Sequence, residues 1–121
     1  MLNMKKCTFC QIIKKEAPAN IVSSDDCCVV FHPLDPVVNG QILVVPKKHY
    51  ENIFDINTEV LKKLILVCKK VAKDMVKKEK ATGVNILHAS GKDAQQSVSH
   101  FHFHVIPRYK NDGLDLWLKN I

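Results

Sequence analysis

A chain of 121 residues, 46% hydrophobic and 25% charged, with four glycines and five prolines, has the size and composition of one soluble globular domain. No apolar run approaches the roughly 18–20 residues of a membrane span, and Cys10 to Ile13 is too short for a secretory signal, so a cytoplasmic protein without a membrane partner is expected. Five cysteines, an odd number, fit reduced thiols better than a disulfide framework, and a net charge of +6 raises the question of nucleic acid.

Phe9, Ile12 and Ile13 are spaced for a short helix over Cys7 to Lys15, stopped near Ala17-Pro18. Ile21 to Ser23 and Cys27 to Phe31, parted by Ser24-Asp25-Asp26, read as a hairpin. Pro33 and Pro36 make His32 to Gly40 a loop, and Ile42 to Val45 is a third strand ending at Pro46. From Asn57 the period changes: Val60, Leu61, Leu64, Val67, Cys68, Val71, Ala72 and Met75 recur at steps of three and four. Asn57 or Thr58 can cap this long amphipathic helix, and Gly83 marks its end. Residues 57–80 hold eight lysines against Glu59, Asp74 and Glu79, a net of +5, so nearly the whole charge excess sits on one helix. With Arg108 as the sole arginine, this reads as a solvated helix face rather than a nucleic-acid footprint. Val84 to His88 is a fourth strand, Ala89 to Gln96 a polar loop, and Val98 to Ile106 a fifth strand closed by Pro107. The expected fold is a single α+β domain: an antiparallel sheet of about five strands, one short N-terminal helix and one long amphipathic helix. Residues 1–6 and 114–121 are terminal extensions.

The last strand carries the chemistry. In Ser99-His100-Phe101-His102-Phe103-His104-Val105-Ile106 polar and apolar residues alternate, so the three imidazoles share one face and Phe101, Phe103 and Val105 the other, toward the long helix. Three histidines in one apolar strand are costly to bury without partners. A metal site is one reading. The preceding loop, with Gln95, Gln96, Ser97 and its N–H groups, favours a phosphate instead.

His100-Phe101-His102-Phe103-His104-Val105-Ile106 resembles the alternating motif of the histidine-triad (HIT) nucleotide-binding proteins. The resemblance extends to Phe9-Cys10-Gln11-Ile12-Ile13-Lys14-Lys15-Glu16-Ala17-Pro18, to Gly40-Gln41-Ile42-Leu43-Val44-Val45-Pro46-Lys47-Lys48-His49, and to Gln96-Ser97-Val98 and Pro107-Arg108-Tyr109. It is closest to the Hint-like and bacterial-type branch. The resemblance implies that His102 attacks the α-phosphate of a purine nucleotide conjugate, forming a nucleotidyl-histidine that water then hydrolyses. It implies a phosphate contact for His104, hydrogen bonds from Ser97 and Gln96 to phosphate or leaving group, and Asn85 lining the same site. Phe9, Ile12, Phe31, His32 and Leu34 are expected to hold base and ribose. The chain departs from the family at Pro33, where an acidic residue for the ribose is frequent and Asp35 is the available substitute, and at Gln95, where glycine is usual.

Cys7-Thr8-Phe9-Cys10 supplies half of a tetrahedral zinc site. Positions matching Cys7, Cys10, His49 and His100 bind zinc in related HIT proteins, which implies a structural Zn2+ here and removes His100 from catalysis. Cys27, Cys28 and Cys68 are expected in the core, and His88 as structural or solvent-facing. The resemblance further implies a homodimer. Trp117 then reaches the neighbouring site or packs on its own subunit. Three functions are weighed: a nucleoside phosphoramidase, with dinucleoside polyphosphates as alternative substrates; a non-catalytic nucleotide-binding scaffold; and a nucleic-acid module built on the lysine helix.

Overall fold

The computed structural model describes residues 7–36 and 38–119. The extension at residues 1–6, and the last two residues of the C-terminal one, lie outside them. Among the described residues the chain forms α1 (Thr8–Ile13), β1 (Asn20–Ser24), β2 (Cys28–His32), β3 (Ile42–Pro46), α2 (Thr58–Glu79), β4 (Gly83–Leu87) and β5 (Phe103–Arg108). The strands make one antiparallel sheet in the order β1-β2-β3-β5-β4. Among the described residues no helix is long and apolar enough to cross a membrane.

Local chemistry sets the element ends. Asp25 turns the β1–β2 hairpin by accepting the N–H groups of Cys27 (2.7 Å) and Cys28 (2.8 Å) through Oδ1. Asn57 caps α2, its Oδ1 taking Glu59 N–H at 2.9 Å and Val60 N–H at 3.1 Å. That helix ends at Lys80, which adopts the left-handed conformation at φ 62°. Leu64, Cys68, Val71 and Met75 form its buried stripe, and the lysines take the outside.

The sheet separates two cores. On one face α2 covers Cys28, Val30, Ile42, Val44, Phe101 and Val105. On the other, α1 brings Phe9, Cys10 and Ile12 over Val29, Phe31, Leu43 and Val45. Alternation along β2 and β3 therefore decides which layer each side chain enters. Cys28 and Cys68 are core residues as expected, whereas Cys27 at the hairpin turn is only half-buried.

The fifth strand differs from its sequence pattern at both ends. Val98 to His102 lies outside the ladder, whose register begins at Val44↔Phe103. Here Phe101 N–H bonds to Tyr50 O at 2.7 Å, in the chain beyond β3, rather than to a strand neighbour. At the other end the strand continues through Pro107 to Arg108. Thr82 N–H bonds to Arg108 O at 2.9 Å, so the alternate residue Pro107 turns its missing donor to the β3 side, beyond the start of that strand. Gly40 closes over the proline ring, and a Cβ built on it would stand 3.0 Å from Pro107 Cγ. With φ at +83°, Gly40 meets both limits at once.

Beyond β5, Arg108 fixes the C-terminal segment. Its guanidinium bonds to both oxygens of Asp112 (2.9 and 3.1 Å), to Asn85 Oδ1 (2.7 Å) and to Leu114 O (2.6 Å). Leu114 and Leu116 are half-buried, whereas the Trp117 and Leu118 side chains, 63% and 75% exposed, find little cover on their own subunit.

Gly40→Ala should lower stability by about 1–3 kcal/mol through backbone strain and the proline contact, read as a lower midpoint in urea. Arg108 beside Asp112, helped by the Tyr109 and Leu114 N–H groups, holds its carboxyl well below the usual carboxylate range. A lowered carboxyl pKa contributes stability above the unfolded value and loses it as pH falls through the folded one. Asp112→Asn should therefore lower the Tm at pH 7, with the gap to wild type closing below about pH 4. A pH-independent gap would contradict this account.

Candidate active site and metal centre

His100, His102 and His104 share the α1 side of the sheet, as alternation requires, while Phe101 and Phe103 pack toward α2. Phe9 lies edge-on to both His100 and His102, with ring centroids at 5.7 and 5.1 Å. The rings of His102 and His104 are 4.8 Å apart.

Each imidazole has one nitrogen committed, which fixes the role of the other. His102 donates from Nδ1 to His100 O at 2.8 Å, leaving the Nε2 lone pair free. His104 accepts at Nδ1 from the Gln41 amide at 2.9 Å, so its proton resides on Nε2 as a donor. His100 donates from Nε2 to Pro46 O at 2.8 Å and turns its Nδ1 lone pair away from the other two. Burial pushes the His100 and His104 pKa values down to about 4 and lowers that of His102, so all three are neutral at pH 7.

The His100 lone pair enters a four-residue cluster. Cys7 Sγ is 3.4 Å from His100 Nδ1, Cys10 Sγ is 3.5 Å from it, and His49 Nδ1 is 3.1 Å from it. Cys10 Sγ lies 3.2 Å from His49 Nδ1, and the four donor atoms all fall within 4.8 Å of one another. A tetrahedral zinc ion holds its sulfur and nitrogen ligands roughly 3.3–3.8 Å apart, close to these spacings. The donor chemistry fits as well. Burial and the neighbouring Cys7 push the Cys10 thiol up to about 11, and a bound dication is what would favour the thiolate there. The Nε2–H bond to Pro46 O is the outer-shell contact that orients a ligating histidine.

The remaining residues divide. Phe9, Ile12 and Phe31 are buried together beside the triad. His32 is not brought to it. Its side chain leaves the sheet on the α2 side, lines a small cleft with Val22, Val71 and Asp74, and donates from Nδ1 to Gln41 O at 2.9 Å. Leu34 and Asp35 are exposed on the loop after β2. Asn85 is on the triad side of β4, in register with Ile106, but its carbonyl oxygen is engaged by Arg108. Ser97 is exposed. Gln96 spends its amide on the loop itself: Nε2 donates to Glu51 O (2.6 Å) and Val98 O (2.9 Å), and Oε1 accepts Gly91 N–H (2.8 Å). Gln95 closes the single 3-10 turn Lys92–Ala94 in the left-handed conformation, φ 69°, where glycine is the unstrained residue.

Sequence reasoning passed over Gln41. It is 8% exposed, it sets the tautomer of His104, and its Oε1 has no hydrogen-bond partner. The signal was available: glutamine opens an otherwise apolar strand on the alternation that faces the triad.

Comparison with known proteins agrees with this geometry. The HIT domain profile matches residues 14–111. An uncharacterized HIT-like protein of Borreliella burgdorferi is 40% identical over 91% of this chain and 81% of its own length. The adenosine 5'-monophosphoramidase of Saccharomyces cerevisiae is 36% identical over 84% of this chain and 62% of its own. Among solved structures, a zinc-bound histidine triad family protein from Mycobacterium smegmatis superposes with a TM-score of 0.88 at 31% identity, covering 94% of this chain and 83% of that one. The alternating imidazoles, the five-stranded sheet and the matched profile lead to one conclusion: this chain belongs to the histidine-triad family.

Proposed function

We propose that the protein is a nucleotidyl hydrolase acting on purine nucleoside phosphoramidates through His102. The observation that carries this reading is the bond from His102 Nδ1 to His100 O, which leaves a neutral, aimed Nε2 lone pair beside a second imidazole that donates. In the first step Nε2 attacks the α-phosphorus, the Nε2–phosphorus bond forms as the phosphoramidate's own phosphorus–nitrogen bond breaks, and the departing nitrogen takes a proton from solvent. In the second, water attacks the same phosphorus, the Nε2–phosphorus bond breaks, and the nucleotide leaves as the water's proton returns to solvent. His104 Nε2–H stabilises the charge that develops on a phosphoryl oxygen, and Ser97 with the loop N–H groups supplies further donors. Phe9, Ile12 and Phe31 wall the base side. The similarity to the yeast adenosine 5'-monophosphoramidase supports this choice of substrate. Gln96, as the geometry stands, acts by holding the loop.

Cys7, Cys10, His49 and His100 would hold a structural zinc ion, joining α1 and the chain after β3 to the approach of β5. A homodimer completes the reading. It is supported by β4 ending the sheet, with Ile86 and Val76 of α2 41% and 50% exposed near that edge.

Wild-type protein should release AMP from adenosine phosphoramidate faster than from a diadenosine polyphosphate, and His102→Ala should lower that rate at least about 10^3-fold. Equal rates for wild type and His102→Ala would remove the nucleophile assignment. Protein prepared without added metal should contain about one zinc per chain. Cys10→Ser should lose it with a drop in Tm, and full zinc retention by that variant would sink the four-ligand site.

A further inference from the structure

His88 stands outside the triad and outside the cysteine–histidine cluster, yet it holds the nucleophile's own backbone. Leu87 pairs with His104, so the residue after β4 runs beside the two residues that precede His104. From there the His88 ring stacks on Phe101, with centroids 4.3 Å apart, and its Nδ1 donates to His102 O at 2.9 Å. His102 sits one residue ahead of β5, so this side chain supplies the clamp at a point the ladder has not reached. With the proton on Nδ1, Nε2 accepts from the Ser90 hydroxyl, and Ser90 Oγ in turn accepts Ile53 N–H at 2.9 Å. Three segments meet in this relay: the His102 backbone, the loop that carries Ser97, and the turn after His49. Gln96 ties the same loop and turn a second time through Glu51 O at 2.6 Å.

We propose that His88 is a positioning residue for the reaction: its Nδ1–H clamp on the His102 carbonyl, linked through Ser90 to the 89–97 loop, sets the distance between the His102 imidazole and the donors that receive the phosphate. The proposal rests on His102 as the nucleophile. Attack on phosphorus requires the nucleophile and the oxyanion donors to be held in register, and displacement by about 1 Å costs on the order of a hundredfold in rate. The clamp acts on geometry after substrate has bound, so its loss falls on kcat rather than on KM.

Two substitutions separate the hydrogen bond from the packing. His88→Phe keeps an aromatic ring on Phe101 and deletes the donor. His88→Gln loses the ring and keeps an amide N–H that can reach the carbonyl. With adenosine phosphoramidate, His88→Phe should lose roughly 10–100-fold in kcat, with KM within about twofold of wild type and zinc content unchanged. His88→Gln should recover most of that loss even where its Tm is lower. Ser90→Ala should lose part of it. The same proteins are read without turnover by hydrogen exchange at Ile53 N–H, which should quicken at least about fivefold in His88→Phe and Ser90→Ala but not in His88→Gln. An inert wild type with this exchange pattern intact would refute the proposed reaction and leave the clamp standing. A His88→Phe variant with wild-type kcat, or a His88→Gln variant no better than His88→Phe, would overturn the positioning role.

Discussion

Three main-chain carbonyls, each claiming one nitrogen of a histidine, are the constraint on which the site depends. Pro46 O takes His100, His100 O takes His102, and His102 O takes His88. A buried neutral imidazole has one donor and one acceptor, and fixing the donor fixes the acceptor. For His100, His102 and His88 the backbone thereby determines which nitrogen is basic and where it points. Three imidazoles so close together could not all be protonated at once, and burial keeps them neutral. Neutrality costs the fold little here, because His100 and His102 pair their N–H groups with carbonyls and His104 Nδ1 accepts from Gln41.

These bonds also explain why one strand face can serve two purposes. Same-face imidazoles on an extended chain can converge on one ion, and it is the fixed tautomers that part them here. His100 turns its lone pair toward α1 and His49, and His102 keeps its own beside His104. The cysteine–histidine cluster and the phosphate side are therefore neighbours with separate chemistry. Phe9 touches both, packing edge-on against His100 and His102.

Much of this was legible in the chain. Period two around the histidines gave the shared face, and the steps of three and four from Val60 to Met75 gave α2 and its buried stripe. Interactions between distant segments were not legible. Alternation alone carried the last strand back to Val98, because nothing local reveals that Phe101 N–H bonds to Tyr50 O and that His100 and His102 stand outside the ladder. A proline read as a stop at 107 is tolerated because its missing donor faces past the start of β3. The resemblance put His32 beside Phe31 in the pocket, yet consecutive strand residues enter opposite layers, and the pair is split by the sheet. Gln41 and His88 act through bonds across 63 and 14 residues, and composition does not record such partners.

The N-cap of α1 is the Sγ of Cys7, accepting Cys10 N–H at 3.4 Å, and the same sulfur belongs to the cluster completed by His100. A helix of six residues has little stability of its own. Its anchor lies 93 residues further along the chain. Phe9 and Ile12 find their layer on β2 and β3, but the cap that starts their helix shares its sulfur with a contact to the residue that opens the triad. A change at His100 is therefore felt at the first turn of α1, beneath the same apolar side chains that flank His102.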